Sequence, residues 1–328
     1  MRAALYRRTG PAGAVLAVTD LPDPEPGPGE VLVRVRASGI NPADVKRRAG
    51  WGGMAMGHDA IVPHCDGAGE IVAVGPGVPA GRPGERVWLW NAQGGYGTAG
   101  RAMGTAAELI AIDAAQAVPL PDALTFEAGA CLGVPAMTAH RCVFADGPVA
   151  GLTVLVQGGS GAVGHLAVQM ARLGGARVIA TVGGPDGADH AAAAGAETID
   201  RRREDVAARV MDLTGGAGVD RVVEVDFAAN CATDAAILKP NGWVASYSSS
   251  SDPAPVLPYY AFQSRGLNLR FIQGFALPAA ARAAGEAFIA GNAAALTIAI
   301  GARFPLDGIA EAHERVEAGG IGNVVVLP

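Results

Sequence analysis

Charge is scarce in this 328-residue chain: Asp, Glu, Lys and Arg make up 17%, against 50% hydrophobic residues. Long apolar runs are missing as well. Stretches such as Val222 to Val225 fall far short of the ~20 residues a membrane helix needs, so a soluble globular protein is expected. The N-terminus passes from Tyr6 directly into Arg7 and Arg8 without an apolar signal-peptide core, which points to the cytoplasm. Cysteine is rare: Cys65, Cys131, Cys142 and Cys231 show no C-x-x-C spacing, and a chain of this size needs no disulfide staples. Reduced thiols follow. The net charge of -6 argues against a general electrostatic grip on nucleic acid or an anionic membrane, although Arg201-Arg202-Arg203 forms a small basic patch.

The length suggests two domains, since single cores usually stop growing below it. From Gly10 to Glu30 the chain is crowded with Pro and Gly and reads as an irregular loop. Val31 to Ala37 alternates apolar and basic residues as a half-buried strand should, and further strands are read at Ala68 to Gly75 and Arg86 to Trp90. The first third is therefore mostly β. Near Leu124 the character changes: a helical stretch runs with interruption from Thr125 toward Phe144, after which strands alternate with helices. Strands are expected at Val154 to Gln157, Arg177 to Val182, Arg221 to Val225, Gly242 to Tyr247 and Leu267 to Phe271, with a helix from His165 to Leu173. This alternation predicts an α/β domain with a parallel sheet wrapped by helices. A helix from Ala279 to Ala290 and a last strand from Asn323 to Leu327 are read as a return to the first domain. The expected limits are 1–123, 124–273 and 274–328.

The most informative segment is Val154-Leu155-Val156-Gln157-Gly158-Gly159-Ser160-Gly161-Ala162-Val163-Gly164-His165, a buried strand entering a glycine-rich turn that a helix leaves at once. Glycine permits close approach of backbone to a pyrophosphate, whose charge is stabilised by the free N–H groups and dipole of the helix N-terminus. An acid about 20 residues beyond the turn would bind the 2′-hydroxyl of NAD. None is there. Thr181-Val182-Gly183-Gly184 occupies that place and leaves room for a 2′-phosphate, so NADPH is the expected cofactor. Candidate basic partners are His190, Arg201 and Arg202; the arginines read equally as solvated surface.

These motifs resemble the medium-chain dehydrogenase/reductase superfamily, and within it the zinc-free quinone oxidoreductases and their ζ-crystallin-like relatives. The resemblance spans nearly the whole chain: Met1-Arg2-Ala3, Ala37-Ser38-Gly39-Ile40-Asn41-Pro42-Ala43-Asp44, Asp66 to Gly75, Gly84-Glu85-Arg86-Val87, Gly133 to His140, the glycine turn, and Phe304-Pro305-Leu306 with Ala310-Glu311-Ala312-His313. It implies a Rossmann doubly wound parallel sheet joined to a mostly β GroES-like catalytic domain. Zinc-dependent members hold a Lewis-acid metal on three ligands. Here Asn41 stands where the first cysteine would be and Cys65 where the histidine would be, Cys131 falls near the third position, and the four-cysteine structural loop around residues 91 to 105 is missing. Asn41 is a poor zinc ligand, and no metal is expected even with His58 and His64 nearby. Those two histidines read as a mobile loop with ordinary hydrogen bonds, and Cys131 as a small buried helix residue.

The resemblance also implies site residues. Asn41 would approach the nicotinamide ribose or the substrate, and Thr138 the nicotinamide ring. Gly159, Ser160, Gly161, Ala162, Val163 and Gly164 would hold the pyrophosphate, while Thr181, Gly183, Arg201 and Arg202 are the candidates already read from the end of the second strand. Ser246, Tyr247, Phe275 and Leu277 would close over the cofactor. Asn323 would lie near it where many relatives carry lysine. Lys46 replaces a tyrosine common among relatives and is followed by Arg48, which they share. Lys46 would be placed to favour a developing enolate; Lys46-Arg47-Arg48 also reads as plain surface charge. Trp51, Tyr96 and Tyr259 would wall a flat substrate, or simply pack.

Without a metal the substrate must accept hydride easily, which quinones and conjugated carbonyl compounds do. No strongly placed general acid is evident. The alternatives are a reductase of 2-enoates or enals, an acid being attracted by Lys46 and Arg48, and an NADPH-binding structural or RNA-binding protein with little turnover. Relatives pair a strand across a two-fold axis, and Leu267 to Phe271 matches it, so a homodimer is expected.

Overall fold

Val31, Val33 and Val35 are buried while Arg34 and Arg36 are exposed, the alternation of a strand with one dry face. In the computed structural model, which describes residues 1–95 and 100–328, this strand is the spine of the first of two units. Tyr96 lies outside the described residues. In chain order the strands are β1 (Arg2–Leu5), β2 (Ala17–Asp20), β3 (Glu30–Ile40), β4 (Asp66–Val74), β5 (Arg86–Leu89), β6 (Leu109–Asp113), β7 (Ala117–Pro119) and β8 (Thr153–Val156). There follow β9 (Arg177–Val182), β10 (Glu197–Asp200), β11 (Val219–Glu224), β12 (Leu238–Ser246), β13 (Asn268–Phe271), β14 (Ile300–Pro305) and β15 (Asn323–Leu327).

The first unit comprises Met1–Pro135 and Glu286–Pro328. Its main sheet runs β14-β15-β3-β4-β5-β7, with β6 also paired to β3. β15 joins β3 antiparallel, Val324 opposite Ile40, so the end of the chain completes the sheet its beginning started. Val31, Val33, Ile71, Val87, Leu89, Ile110 and Ile112 form one buried cluster within it. The 10–30 segment is less irregular than its Pro and Gly content suggests. It holds a short helix, Ala12–Val15, and β2, which pairs with β1 from Arg2↔Asp20 to Leu5↔Ala17. Four residues with one apolar pair are too few to show a period against so many turn formers.

The second unit, Ala136–Gly285, is the doubly wound domain. Its sheet is wholly parallel in the order β10-β9-β8-β11-β12-β13. The strand order reverses between β8 and β11, and sheets of this kind open a ligand crevice at the carboxyl ends of the strands beside that reversal. Leu155, Ile179, Val222 and Val244 are fully buried in its core. Each such side chain contributes about 1.5–3 kcal/mol on leaving water. Arg221 of β11 is buried and donates to the carbonyls of Val143, Asp146 and Gly147, while Arg270 pairs with the Asp146 carboxylate at 2.8 Å. These two arginines hold the end of the Val134–Phe144 helix to the sheet.

The unit limits fall about 12 residues later than the composition change suggested. The Phe126–Gly129 helix packs on β3 and β4 and so belongs with the first unit. At the other limit Gly274 lies against Thr138 and Gly285 against Met137, which keeps that stretch with the second. Among the described residues no helix is long and apolar enough to cross a membrane.

Candidate functional site

The candidate residues fall in both units. In the second, β8 ends at Val156 and the chain turns through Gln157, Gly158, Gly159, Ser160 and Gly161 into the Ala162–Leu173 helix. No side chain caps that helix, and His165 is the first residue to donate back into it, to the Gly161 carbonyl at 2.8 Å. The N–H groups of Ala162, Val163 and Gly164 therefore stand outside the helical ladder, in the position that suits an anion. Gly164 is required by space: a β-carbon there would lie 2.1 Å from the Gly158 carbonyl oxygen. A turn drawn this close to its own helix is a backbone cradle, and it fits the pyrophosphate of a dinucleotide.

Beneath the turn runs a buried polar chain that the sequence did not reveal. Thr181 accepts from the Gly158 N–H at 3.0 Å and donates to Gln157 Oε1 at 2.8 Å. Gln157 Nε2 donates to Asp234 at 3.1 Å, and Asn230 donates to Glu224 at 3.0 Å. Burial pushes the Asp234 and Glu224 carboxyls upward; the charge of Glu224 raises Asp234 further, whereas the hydrogen bonds from Asn230 and Asp234 hold Glu224 down. Thr181, expected to face the adenosine, braces the turn through its hydroxyl, which is engaged on both sides.

At the end of β9, Gly183 marks the place where an NAD-binding chain would carry an acid. A β-carbon on Gly183 would lie 3.4 Å from Arg202 Nε and 3.6 Å from a guanidinium nitrogen of Arg201. Both arginines are exposed, and among the described residues neither guanidinium has a carboxylate partner. His190 does not join them. Its ring stacks on His165 with centroids 3.8 Å apart, and burial lowers the pKa of both, that of His165 to about 4, so the stack is neutral.

Thr138 is buried, and its hydroxyl oxygen would lie 2.3 Å from a β-carbon on Gly274, which brings it beside the segment leading to the half-buried Phe275 and Leu277. Ser246 ends β12 and donates to the Ser248 carbonyl at 3.3 Å. Burial pushes the neighbouring Tyr247 phenol upward, so it stays protonated. Tyr259 is largely exposed, its ring edge against Tyr260.

In the first unit, Asn41 follows β3 and precedes the Pro42–Ala49 helix. Its backbone N–H donates to Asp44 and its amide Nδ2 to Asp66, each at 2.8 Å. Lys46 sits on the same helix with its Nζ 4.5 Å from the centre of the Trp51 ring, a cation–π contact. Arg48, expected beside the substrate, has its guanidinium engaged within the first unit. It is 1% exposed, donates to the Gly10 carbonyl at 2.5 Å and pairs with Glu317, tying the chain's start and end to the helix. Arg48→Met should lower Tm by several degrees, the equivalent of about 2 kcal/mol, because it strips a buried guanidinium from its partners. Turnover per folded molecule should stay within threefold of wild type, measured after separating folded protein. Asn323, expected near the cofactor, donates its amide to the Ala299 carbonyl at 3.0 Å, at the start of β15.

The zinc ligand positions of metal-dependent relatives are held by groups that do not suit the metal. The Asn41 amide nitrogen is turned to Asp66. Cys65 and Cys131 are buried thiols whose pKa burial raises. His64 lies in no mobile loop: it is fully buried, 2.7 Å from the Ser38 hydroxyl and 2.9 Å from His313. His58 bonds the Gly100 carbonyl at 3.0 Å. Among the described residues no three His, Cys, Asp or Glu side chains gather to hold a metal ion.

Residues 27–122 match the family model of the alcohol dehydrogenase GroES-like domain, and residues 162–287 that of the zinc-binding dehydrogenase. The quinone oxidoreductase of Lama guanicoe is 30% identical over 337 residues, covering 100% of this chain and 97% of that one. The chain belongs to the medium-chain dehydrogenase/reductase superfamily, in its ζ-crystallin-like quinone oxidoreductase family. Among solved structures, an NAD-dependent alcohol dehydrogenase matches with 31% identity over 100% of both chains and a TM-score of 0.86. A mycobacterial protein solved in complex with NADPH matches with 31% identity over 100% of both chains and a TM-score of 0.83. As a medium-chain reductase the chain is an oxidoreductase that works with a nicotinamide nucleotide, and the glycine turn is the part of this fold suited to hold it.

Asp66 is the other residue that sequence reading passed over. It is fully buried, and burial raises its carboxyl from 3.8 to about 8 against the pull of the Asn41 and Val134 N–H groups. An acid whose folded pKa is raised holds its proton more tightly folded than unfolded. Its contribution to stability is therefore full below pH 3.8 and is lost as pH rises toward about 8. Asp66→Asn should remove this slope, so that the Tm difference between variant and wild type shifts in favour of the variant across that window.

Proposed function

We propose that this chain uses NADPH to reduce quinones or other conjugated carbonyl compounds without a catalytic zinc. The observation that carries the reading is the pair of unpartnered guanidiniums, Arg201 and Arg202, beside Gly183 at the end of the strand that follows the glycine turn. They supply two positive charges where a 2′-phosphate needs them, with no carboxylate to oppose it. The mycobacterial structure with NADPH supports this choice, while the NAD-dependent neighbour shows that the same fold accepts the other nucleotide.

When bound, the nucleotide supplies a hydride from its nicotinamide ring. The residues of the chain do the rest. The N–H groups of Ala162, Val163 and Gly164, with Gly159, Ser160 and Gly161, fix the pyrophosphate. Thr138, Ser246, Tyr247, Phe275 and Leu277 serve the nicotinamide end. Asn41 donates a hydrogen bond to the oxygen on which negative charge develops as the acceptor is reduced, the task a Lewis acid performs in zinc-dependent relatives. Lys46 adds a positive charge from above Trp51, and solvent supplies the proton that completes the product. Curated quinone oxidoreductases at about this identity support the acceptor class.

A reductase for acidic 2-enoates is less favoured, because Arg48 is spent on Glu317 and only Lys46 remains of the two cations such a substrate would need. Initial rates with quinone, enal and 2-enoate acceptors at saturating NADPH test the reading. Turnover highest with quinones or enals supports it. Tight NADPH binding with no turnover would instead make the chain a nucleotide-binding structural or RNA-binding protein.

The proposed assembly is a homodimer in the cytoplasm. Phe271 on β13 is 74% exposed, at the outer edge of the parallel sheet, and Val256 and Tyr260 of the same unit are also exposed. An open edge with an apolar side chain invites pairing with a second copy. Phe271→Asp should yield monomers by sedimentation where wild type sediments as a dimer.

A further inference from the structure

We propose that Asp66 is a positioning residue for Asn41, fixing its amide so that one N–H is held on Asp66 and the other is presented to the acceptor oxygen. This rests on the reading that Asn41 binds that oxygen.

An asparagine amide offers a donor side and an acceptor side of nearly the same shape. Held loosely, it would turn its carbonyl to a developing oxyanion as readily as its N–H, and the carbonyl would repel it. Metal-free catalysis at this position therefore needs something that accepts from the amide and cannot donate to it. Asp66 Oδ2 meets that need: it takes the Asn41 Nδ2–H and the Val134 backbone N–H, each at 2.8 Å. An oxygen receiving two N–H donors is an acceptor whichever way the carboxyl is protonated, because any proton must reside on Oδ1. The orientation of Asn41 is thus the same on both sides of the Asp66 titration.

The geometry is set by the sheet. Asp66 opens β4 opposite Gly39 of β3, which brings its side chain alongside Asn41 two residues further on. Asp44 fixes the Asn41 backbone N–H independently. Gly133 closes the other side, since a β-carbon there would lie 2.0 Å from Asp66 Oδ1. A fully buried carboxyl is costly to desolvate and contributes little to folding by itself. The N–H groups of Asn41, Val134 and Asn91 converge on it, and with Gly133 they give it the form expected of a group retained for orientation.

A double-mutant cycle tests this on the full chain, with kcat for a quinone at saturating NADPH, the Kd for NADPH and Tm read for each variant. Asp66→Ala should lower kcat about 10- to 100-fold, approaching the loss in Asn41→Ala, with the NADPH Kd unchanged within about twofold. The double variant should be no slower than Asn41→Ala within about twofold, since residues acting through one another are not additive. Asp66→Asn, whose side-chain oxygen accepts the same two bonds, should keep most of the activity. Gly133→Ala, which presses on Oδ1 and leaves its N–H partners in place, should lower kcat several-fold in the wild-type background and no further in the Asn41→Ala background. It carries the test if Asp66→Ala does not fold. Multiplicative losses in the cycle, or unchanged kcat in both Asp66→Ala and Gly133→Ala, would overturn the inference and leave the role of Asn41 standing. An Asn41→Ala enzyme with wild-type kcat would instead overturn the reading of Asn41, and this inference with it.

Discussion

Gly164→Ala is expected to weaken binding of both NADPH and NADH at least 100-fold, about 2.7 kcal/mol. Two effects oppose each other at this position. Alanine is the better helix former by about 1 kcal/mol, and in an open helix that gain would show as added stability. At Gly164 the added carbon would sit 2.1 Å from the Gly158 carbonyl oxygen, closer than any real contact, so the turn must move away from the helix start. That motion takes the Gly159 to Gly161 backbone off the line of the free N–H groups, and the steric effect wins. Gly291 provides the control. It lies in the Ala279–Asn292 helix with nothing within 4 Å of a β-carbon, and Gly291→Ala should raise Tm slightly while leaving both nucleotide affinities unchanged. Fluorescence titration with each nucleotide reads the contrast. Equal, small effects at the two glycines would show that the turn does not hold the pyrophosphate.

The second large effect concerns the choice between nucleotides. Replacing Arg201 and Arg202 together with alanine should raise the Kd for NADPH about 100-fold and leave that for NADH within threefold. A charge-assisted hydrogen bond contributes about 1.5–3 kcal/mol, but both guanidiniums are exposed, so screening reduces each to the lower end. Two at roughly 1.4 kcal/mol give the factor of 100. The same screening implies that wild-type NADPH affinity falls with added salt while NADH affinity does not. Equal losses for the two nucleotides would mean that the arginines support the fold of the 200–204 turn rather than read a 2′-phosphate.

How much of this was legible in the sequence depends on whether the signal lay along the chain or across it. Five of the six strands of the parallel sheet were readable because each holds a short apolar run next to a helix or turn, as at Val154 to Gln157, while β10 (Glu197–Asp200), with Ile199 as its one large apolar residue, was not. The glycine turn was readable for the same reason: its strand, turn and helix are consecutive. Strand β2 was hidden because four residues with one clear apolar alternation cannot outweigh the prolines around them. The partners of Arg48, Thr181 and Asn323, namely Glu317, Gln157 and Ala299, are not legible from position alone, since they are brought in by the fold. Asp66 lay in plain view in Asp66-Gly67-Ala68-Gly69. Its signal was an acid at the fully buried head of a strand whose only other charged residue, Glu70, reaches Arg36 near the surface, a place where a carboxylate must find donors. Those donors, Asn41 and Val134, are 25 and 68 residues away.

The most direct measurement is NADPH oxidation with a simple quinone as acceptor, followed with and without a strong metal chelator. The expected result is steady turnover that the chelator leaves untouched and that fails when NADH replaces NADPH at the same low concentration. Turnover abolished by chelation and restored by zinc, or no oxidation of NADPH with any conjugated acceptor, would contradict the central claim.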